Sequence, residues 1–191
     1  MNMKLNLPSF NMLCLLIMAF ASTELTAGVV QAEPIPPSIQ AKIDAYKKQL
    51  VVWAADPLII EAVKDSNNRG GIEDMNNAKW DELGEGDALL MWMNLSAEGK
   101  LITHWEEDKV IDKLNLRDAN ANLVASSYIS GKPRMYNNSS RPAFQNGLKG
   151  PWSAKEVQPD FTTKRMAVQI SAPVLDHGKV IGVLHSAVLA E

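Results

Sequence analysis

Two apolar runs near the C-terminus constrain the fold of this 191-residue chain more than any other feature. They lie within residues 164–189 and are separated by the turn-forming sequence Asp176-His177-Gly178-Lys179. In residues 166–174, apolar side chains alternate with smaller or polar ones, which predicts a strand with a period of two. Residues 180–189 are apolar on both parities and predict a strand that is covered on both faces. The sequence therefore predicts an antiparallel hairpin at the centre of a sheet.

The N-terminus has the pattern of a secretory signal peptide. Lys4 precedes an apolar core at residues 12–21, and small residues follow up to Val30-Gln31-Ala32. The core is shorter than the ~20 apolar residues that a membrane-spanning helix needs, and the small-x-Ala ending is typical of a cleaved signal. We expect residues 1–32 to be removed, leaving residues 33–191 as one domain that is periplasmic or secreted and has no transmembrane segment. The alternative is an uncleaved N-terminal anchor.

Composition argues against several classes of function. The only cysteine, Cys14, falls within the signal, so the mature chain has no thiol for a disulfide, a metal site or a nucleophile. A net charge of −3 does not favour nucleic acid or an anionic membrane as a partner. The three histidines have no metal-ligand spacing, and the catalytic motifs of hydrolases, P-loop enzymes and dinucleotide-binding enzymes are absent from the sequence. We expect neither an enzyme nor a cofactor.

Helical patterns come before strand patterns along the chain, which predicts an α+β fold. Ile43, Tyr46, Leu50 and Trp53 recur at helical spacing. Asp56-Pro57 then predicts either the start of a second helix or a kink in the first. Further helices are predicted at residues 72–83 and 96–108, and the apolar run at residues 88–95 does not favour a strand. Strands are predicted at residues 111–117, 123–128 and 154–158.

A long polar segment at residues 130–151 separates two of the predicted strands. It is rich in Gly, Pro, Asn and Ser, and unstructured loops of this length in compact domains are usually functional or disordered. Because it joins two parts of one predicted sheet, we interpret it as a binding loop rather than a linker.

Three segments resemble a known family. The sequence QISAPVLDHGKVIGVLHSAV, residues 169–188, resembles the end of extracellular Cache domains, also called PDC sensor domains, which are relatives of the PAS fold. Residues 114–127, LNLRDANANLVASS, are similar to that family's hairpin, and residues 51–70 are similar to its long leading helix. The resemblance covers most of residues 39–190. It implies a PAS-like five-stranded antiparallel sheet, with a long N-terminal helix on one face and a ligand cavity under the long loop on the other.

The resemblance also implies which residues bind a ligand. In amino-acid-binding members of the family, a loop arginine pairs with the ligand carboxylate and a later aspartate pairs with its ammonium. That pattern falls on Arg134 and Tyr136 in the long loop and on Asp160 after the next strand. Relatives often carry a tryptophan–tyrosine pair where this chain has Tyr136 alone, so the resemblance leaves specificity for amino acids open.

Four more residues are candidates for the same pocket, and two of them have a structural alternative. Trp152 either closes the pocket or packs in the core, and Arg165 either lines it or is a surface charge. Gln169 is a polar residue in a central strand, where a buried amide needs partners. Arg134 is otherwise a solvated loop charge, and Asp160 is otherwise a turn residue. Tyr128 lies at a predicted strand end beside the loop.

These observations predict an exported small-molecule-binding sensor domain without an output module of its own. Its expected ligand is a small polar metabolite, namely an amino acid, a carboxylate or an amine, and a separate membrane receptor is its possible partner. The alternative is a structural or protein-interaction module that kept the Cache fold and lost the ligand pocket.

Overall fold

The computed structural model describes residues 33–84, 86–96, 99, 102–103, 108–127 and 132–191, which lie in one compact unit. Its helices are α1 (Pro37–Ala54), α2 (Pro57–Arg69), α3 (Asn77–Glu82), α4 (Ala88–Leu95) and α5 (Pro142–Gly147). Its strands are β1 (Glu33–Pro34), β2 (Ile111–Asp118), β3 (Leu123–Ser126), β4 (Trp152–Ser153), β5 (Glu156–Pro159), β6 (Met166–Asp176) and β7 (Lys179–Leu189). Within these residues, no helix has both the length and the apolar character needed to cross a membrane.

The strands form one antiparallel sheet in the order β1-β5-β6-β7-β2-β3, and β4 pairs with β6 off this path. The predicted C-terminal hairpin is confirmed, because β6 pairs with β7 from Ala167 opposite Leu189 to Asp176 opposite Lys179. Its turn places His177 and Gly178 at φ angles of 47° and 81°, the backbone that two-residue hairpin turns require. The α+β fold and the five-stranded core of the sheet are therefore confirmed, and two strands of two residues each extend it.

One face of the sheet packs against α1 and α2. Val168, Ile170 and Val174 of β6 are fully buried in a cluster with Ile43 and Leu50 of α1. These β6 residues are separated by even numbers of positions, as the predicted alternation requires, because every second side chain of a strand points to the same face.

The helical layer consists of two helices rather than one long leading helix. Of the two alternatives at Asp56-Pro57, the structure has the second helix. The Asp56 side chain accepts a hydrogen bond of 2.8 Å from the backbone N–H of Leu58 and so caps the start of α2. The chain has to turn at Ala55 before the proline can open the new helix.

Two predictions for the middle of the chain were wrong in extent. The helix predicted at residues 72–83 is confined to α3, because Asp74 has a φ angle of 55° and Asn76 has an extended backbone and caps the helix that begins at Asn77. The long loop at residues 130–151 contains α5, which begins at Pro142. The apolar run at residues 88–95 forms α4, whereas most of the helix predicted at residues 96–108 lies outside the described residues.

Candidate functional site

A cavity of about 460 Å³ lies on the face of the sheet opposite α1 and α2. Successive side chains of a strand point to opposite faces of the sheet. The floor of the cavity therefore consists of the strand residues that lie between those packed against α1 and α2. Two segments form its mouth: residues 133–135, 138 and 141–143 of the long loop and α5, and residues 152, 154–156 and 158–162. The floor residues are Lys113, Asn115 and Arg117 of β2, Gln169 of β6 and His185 of β7.

Four of the predicted ligand residues line this cavity: Arg134, Trp152, Asp160 and Gln169. Arg134 is exposed at the mouth, and Trp152 is half-buried on β4. Asp160 and Gln169 are joined by a hydrogen bond of 2.8 Å from the Gln169 amide to the Asp160 carboxylate. The fold thus brings together residues that lie up to 35 positions apart in the sequence, and their role in binding stays a prediction.

Tyr136 does not line the cavity, although it belongs to the predicted set. Its side chain is only 1% exposed and packs at a centroid distance of 5.7 Å from Trp80. Its hydroxyl accepts a hydrogen bond of 2.7 Å from the backbone N–H of Ile72. Tyr136 therefore anchors the loop to the segment before α3, and no face of its ring is left for a ligand in the cavity.

Arg165 also lies away from the cavity lining. Its guanidinium is 3.6 Å from Asp112 and 3.3 Å from Glu191, and its side chain is 45% exposed. The alternative of a surface charge fits this position, because the side chain is partly exposed and pairs with two carboxylates. Tyr128 lies outside the described residues.

Asp160 is the most highly coordinated side chain of the site. Its Oδ1 accepts hydrogen bonds from Lys113 Nζ and from the backbone N–H groups of Thr162 at 2.8 Å and Thr163 at 3.0 Å. Burial alone would raise the pKa of Asp160, but the charge and hydrogen bond of Lys113 and the two backbone N–H groups lower it to about 2. The carboxylate is therefore ionised throughout the physiological pH range.

Arg117 fixes the loop over the floor of the cavity. Its guanidinium donates to the backbone carbonyls of Tyr136, of Met135 at 3.0 Å and of Ala121 at 3.3 Å. Burial lowers the pKa of Arg117 to about 9, which leaves the guanidinium charged at neutral pH. Among the described residues, the hydrogen-bond partners of Arg117 are carbonyl oxygens and an imidazole, so no hydrogen-bonded carboxylate neutralises this buried cation next to the cavity.

His185 is the neutral partner of Arg117. Arg117 Nε donates to His185 Nε2 at 3.3 Å, so the imidazole accepts at this nitrogen. Burial, followed by the charges of Arg117 and Lys113, holds the pKa of His185 well below its usual value of 6.5. His185 is therefore a neutral imidazole in the floor at neutral pH.

Two arginines flank an exposed aromatic ring at the mouth. The guanidinium carbons of Arg134 and Arg141 lie 4.3 Å and 4.4 Å from the centroid of Phe161, which is 44% exposed. Cation–π contacts of this kind orient a guanidinium while leaving its N–H groups free. Among the described residues, no carboxylate lies within ion-pair distance of either arginine.

The sequence predictions missed the polar face of β2 and the second arginine of the mouth. Lys113, Asn115 and Arg117 occupy every second position of a strand whose residues are all buried. That spacing was visible in the sequence, but polar alternation usually marks a solvent-exposed face. Arg141 and Phe161 carry no sequence signal at all, since only the folded loop brings them to Arg134.

The described residues contain no group of three or more His, Cys, Asp or Glu side chains that could hold a metal ion. Lys113, Arg117 and Arg141 are cationic, so the lining as a whole is suited to organic ligands with acceptor groups rather than to a metal.

The chain is similar to several solved sensor domains of bacterial receptors. The sensory domain of the Campylobacter jejuni chemoreceptor Tlp3 with isoleucine bound is 13% identical over 81% of this chain and 64% of that chain, with a TM-score of 0.41. The sensor domain of the V. cholerae histidine kinase DctB is 18% identical over 79% of this chain and 57% of that chain, with a TM-score of 0.42. The ligand-binding domain of the Pseudomonas fluorescens chemoreceptor CtaA in complex with L-alanine is 12% identical over 80% and 56%, with a TM-score of 0.42.

The chain thus spans between 56% and 64% of the length of these three structures. No protein-family model and no curated protein matches it.

Proposed function

We propose that this protein is an exported sensor domain of the Cache, or PDC, type that binds a small polar metabolite. The observation that carries the proposal is the cavity of about 460 Å³ between the sheet and the long loop. This volume lies within the range of about 300–1,000 Å³ that is usual for small-molecule sites. Apolar walls with a few converging charged and amide groups are also typical of such sites.

The construction of the cavity supports binding over a purely structural role. A domain that had lost its pocket would fill this space with side chains, since protein interiors are close-packed. Here hydrogen bonds instead hold polar groups in place around an open volume. Gln169 and Lys113 donate to Asp160, and Arg117 donates to a backbone carbonyl of the loop. Such preorganised polar groups are what a ligand site requires.

Export is the second part of the proposal. It rests on the charged start, the apolar core and the small residues that end at Ala32. The described residues between Glu33 and Glu191 lie in one compact unit, which supports a single mature domain.

Thermal shift and calorimetry with a panel of amino acids, carboxylates and amines test the binding function. A ligand present at a hundredfold its Kd adds about 2.7 kcal/mol to the free energy of unfolding. We expect at least one compound to produce such a shift, and we expect Ala154→Trp to abolish it, because the indole fills the cavity that Ala154 lines.

Ala41→Trp is the matched control, because Ala41 is exposed on α1, on the other side of the sheet. It should bind the same compound as the wild-type protein does. Absence of any shift across the whole panel, or a shift that Ala154→Trp leaves intact, would contradict the proposed function.

A further inference from the structure

We propose that the cavity selects small organic carboxylates that lack an ammonium group, and that Lys113 determines this preference. The inference rests on the proposed function and narrows its ligand class from amino acids, carboxylates and amines to one of the three. Three features of the site lead to it: the occupancy of Asp160, the distribution of charge and the hydrogen-bonding character of the free polar atoms.

The Asp160 oxygen that Lys113 contacts has no acceptor capacity left for a ligand ammonium. Each carboxylate oxygen offers about two lone-pair sites, and Oδ1 already accepts from Lys113 Nζ and from the N–H groups of Thr162 and Thr163. Oδ2 accepts one hydrogen bond, from Gln169 Nε2. The Lys113 ammonium therefore occupies the position in which an amino-acid ligand would place its own.

Lys113 is not free to move aside. Its side chain is only 7% exposed, and it pairs with Asp112 at 3.5 Å as well as with Asp160. Replacing it with a ligand ammonium would require moving a buried cation away from both carboxylates, which is costly in a protein interior. A ligand that carries an ammonium would also place a second cation beside Lys113.

The remaining charges of the lining favour an anion. With Lys113 and Asp160 paired, and with the single charges of Lys155 and Glu156 offsetting each other, Arg117, Arg134 and Arg141 remain as the excess charge of the lining. In the part of the chain that the structure describes, none of these three guanidinium groups has a carboxylate within ion-pair distance. Guanidinium groups bind carboxylates through paired N–H donors, so the mouth arginines are suited to a ligand carboxylate.

The polar atoms left over in the floor are mostly donors. Asn115 Oδ1 accepts a hydrogen bond of 2.8 Å from Ser126, which leaves the Asn115 NH₂ group without a partner among the described residues. His185 Nε2 accepts from Arg117, so the hydrogen of the neutral ring is on Nδ1. Both side chains are at most 5% exposed. Two buried donors that face a cavity are satisfied by a ligand with acceptor oxygens.

Gln169 Oε1 is the neutral acceptor that remains, because the NH₂ group of Gln169 donates to Asp160. It is suited to a ligand hydroxyl or amide hydrogen. It carries no charge and does not replace a carboxylate as the partner of an ammonium.

Calorimetry with pairs of compounds that differ only in the amino group tests the inference on the purified protein. Suitable pairs are propionate with alanine, succinate with aspartate, and 4-methylpentanoate with leucine. We expect the carboxylate of the best-fitting pair to bind at least tenfold more tightly than its amino acid. We expect Lys113→Met, which keeps the length of the side chain and frees Asp160, to reduce or reverse that ratio.

A second pair of variants keeps the test decisive if Lys113→Met does not fold. Arg134→Gln and Arg141→Gln change side chains at the mouth, and each should weaken carboxylate binding at least fivefold. Arg69→Gln is the matched control, since Arg69 is a half-exposed residue at the end of α2 and should leave binding unchanged.

The outcomes separate the inference from the proposed function. Tighter binding of any amino acid than of its carboxylate counterpart would overturn the inference while leaving a small-molecule sensor in place. Carboxylate binding that is unaffected by both mouth variants would overturn it as well. Binding of no compound of any class would overturn both the inference and the proposed function.

Discussion

Asp160 and Lys113 form the central ion pair of the site, and the charged side chains around them range from buried to exposed. Lys113, Asp112 and Asp160 are buried side by side, whereas Arg134 at the mouth and Arg165 outside the cavity lining are exposed. Because burial strengthens electrostatic interactions, Lys113 keeps the Asp160 carboxylate ionised. The exposed cations interact more weakly with the buried pair, since water surrounds them.

The low pKa of Asp160 makes stability depend on pH in acid. The pKa of about 2 in the folded protein lies below the usual aspartate value of 3.8, so the ionised carboxylate stabilises the fold above pH 4, and this contribution is lost as the pH falls to 2. The shift corresponds to about 2 kcal/mol. Urea unfolding at a series of pH values should show this loss in the wild-type protein and not in Asp160→Asn.

Asp81→Asn is the control for that experiment, because Asp81 is exposed on α3. It should retain the wild-type dependence on pH. An Asp160→Asn variant with an unchanged slope between pH 4 and pH 2 would show that other carboxylates produce the loss.

His185 gives a second pH dependence in a different range. Burial and the charges of Arg117 and Lys113 keep its pKa well below 6.5, despite the opposing charge of Asp160. Below pH 6.5 the unfolded chain takes up a proton that the folded protein does not, so the free energy of unfolding falls by up to about 1.4 kcal/mol per pH unit. His185→Gln should reduce this slope between pH 6.5 and pH 5.

His177→Gln is the matched comparison, since the His177 side chain is 97% exposed in the hairpin turn. It should leave the slope between pH 6.5 and pH 5 as it is in the wild-type protein. Equal slopes in all three proteins would mean that His185 is protonated in the folded state.

The elements of the fold differ in how far the sequence predicts them. Alternation predicted β6 and β7 and their turn, because a strand covered on both faces leaves a strong apolar pattern. The six residues of α5 leave no periodicity to detect. Alternation also puts Lys113 and Arg117 on one face of β2, a face that the sequence predictions missed. Whether that face meets water or a cavity depends on a loop 18 residues away, to whose carbonyls Arg117 donates. Because every residue type has a backbone carbonyl, the sequence does not show which residues of the loop Arg117 binds.

Close packing of α2 on the sheet depends on a glycine in β7. A Cβ atom at Gly182 would lie 2.3 Å from the backbone oxygen of Arg117 and 2.7 Å from Val63 of α2. Because a backbone oxygen within a sheet cannot move aside, Gly182→Ala should lower the free energy of unfolding by about 3 kcal/mol. Gly84→Ala, which meets no atom within 4 Å, should change it little, and urea denaturation of the two variants measures the difference.

At the scale of the whole molecule, the sheet separates two different environments. The face towards α1 and α2 is an apolar core, and the face towards the long loop carries the polar cavity. Each central strand therefore serves both stability and the site. Core substitutions that shift β6 or β7 are expected to affect ligand binding as well.

The proposed boundary of the mature protein is tested by expression of the full sequence in a bacterial host. N-terminal sequencing of the exported product should begin at Glu33, and Ala32→Arg should block processing because the cleavage site requires a small residue. Ala41→Arg, beyond the site, should be processed normally. A product that retains residues 1–32 would instead support the uncleaved anchor.

The arginines at the mouth and the buried groups of the floor are expected to control different rates: the mouth controls association of the ligand and the floor controls its dissociation. Charges at an opening attract an oppositely charged ligand before contact, and salt screens this attraction as the Debye length falls from about 30 Å at 0.01 M to about 3 Å at 1 M. Raising ionic strength should therefore slow carboxylate association severalfold in stopped-flow measurements, with less effect in Arg134→Gln. Dissociation should change little, because the floor groups around Asn115 and His185 are shielded from the solvent. The loop then determines how quickly a ligand arrives, and the sheet determines how long it stays.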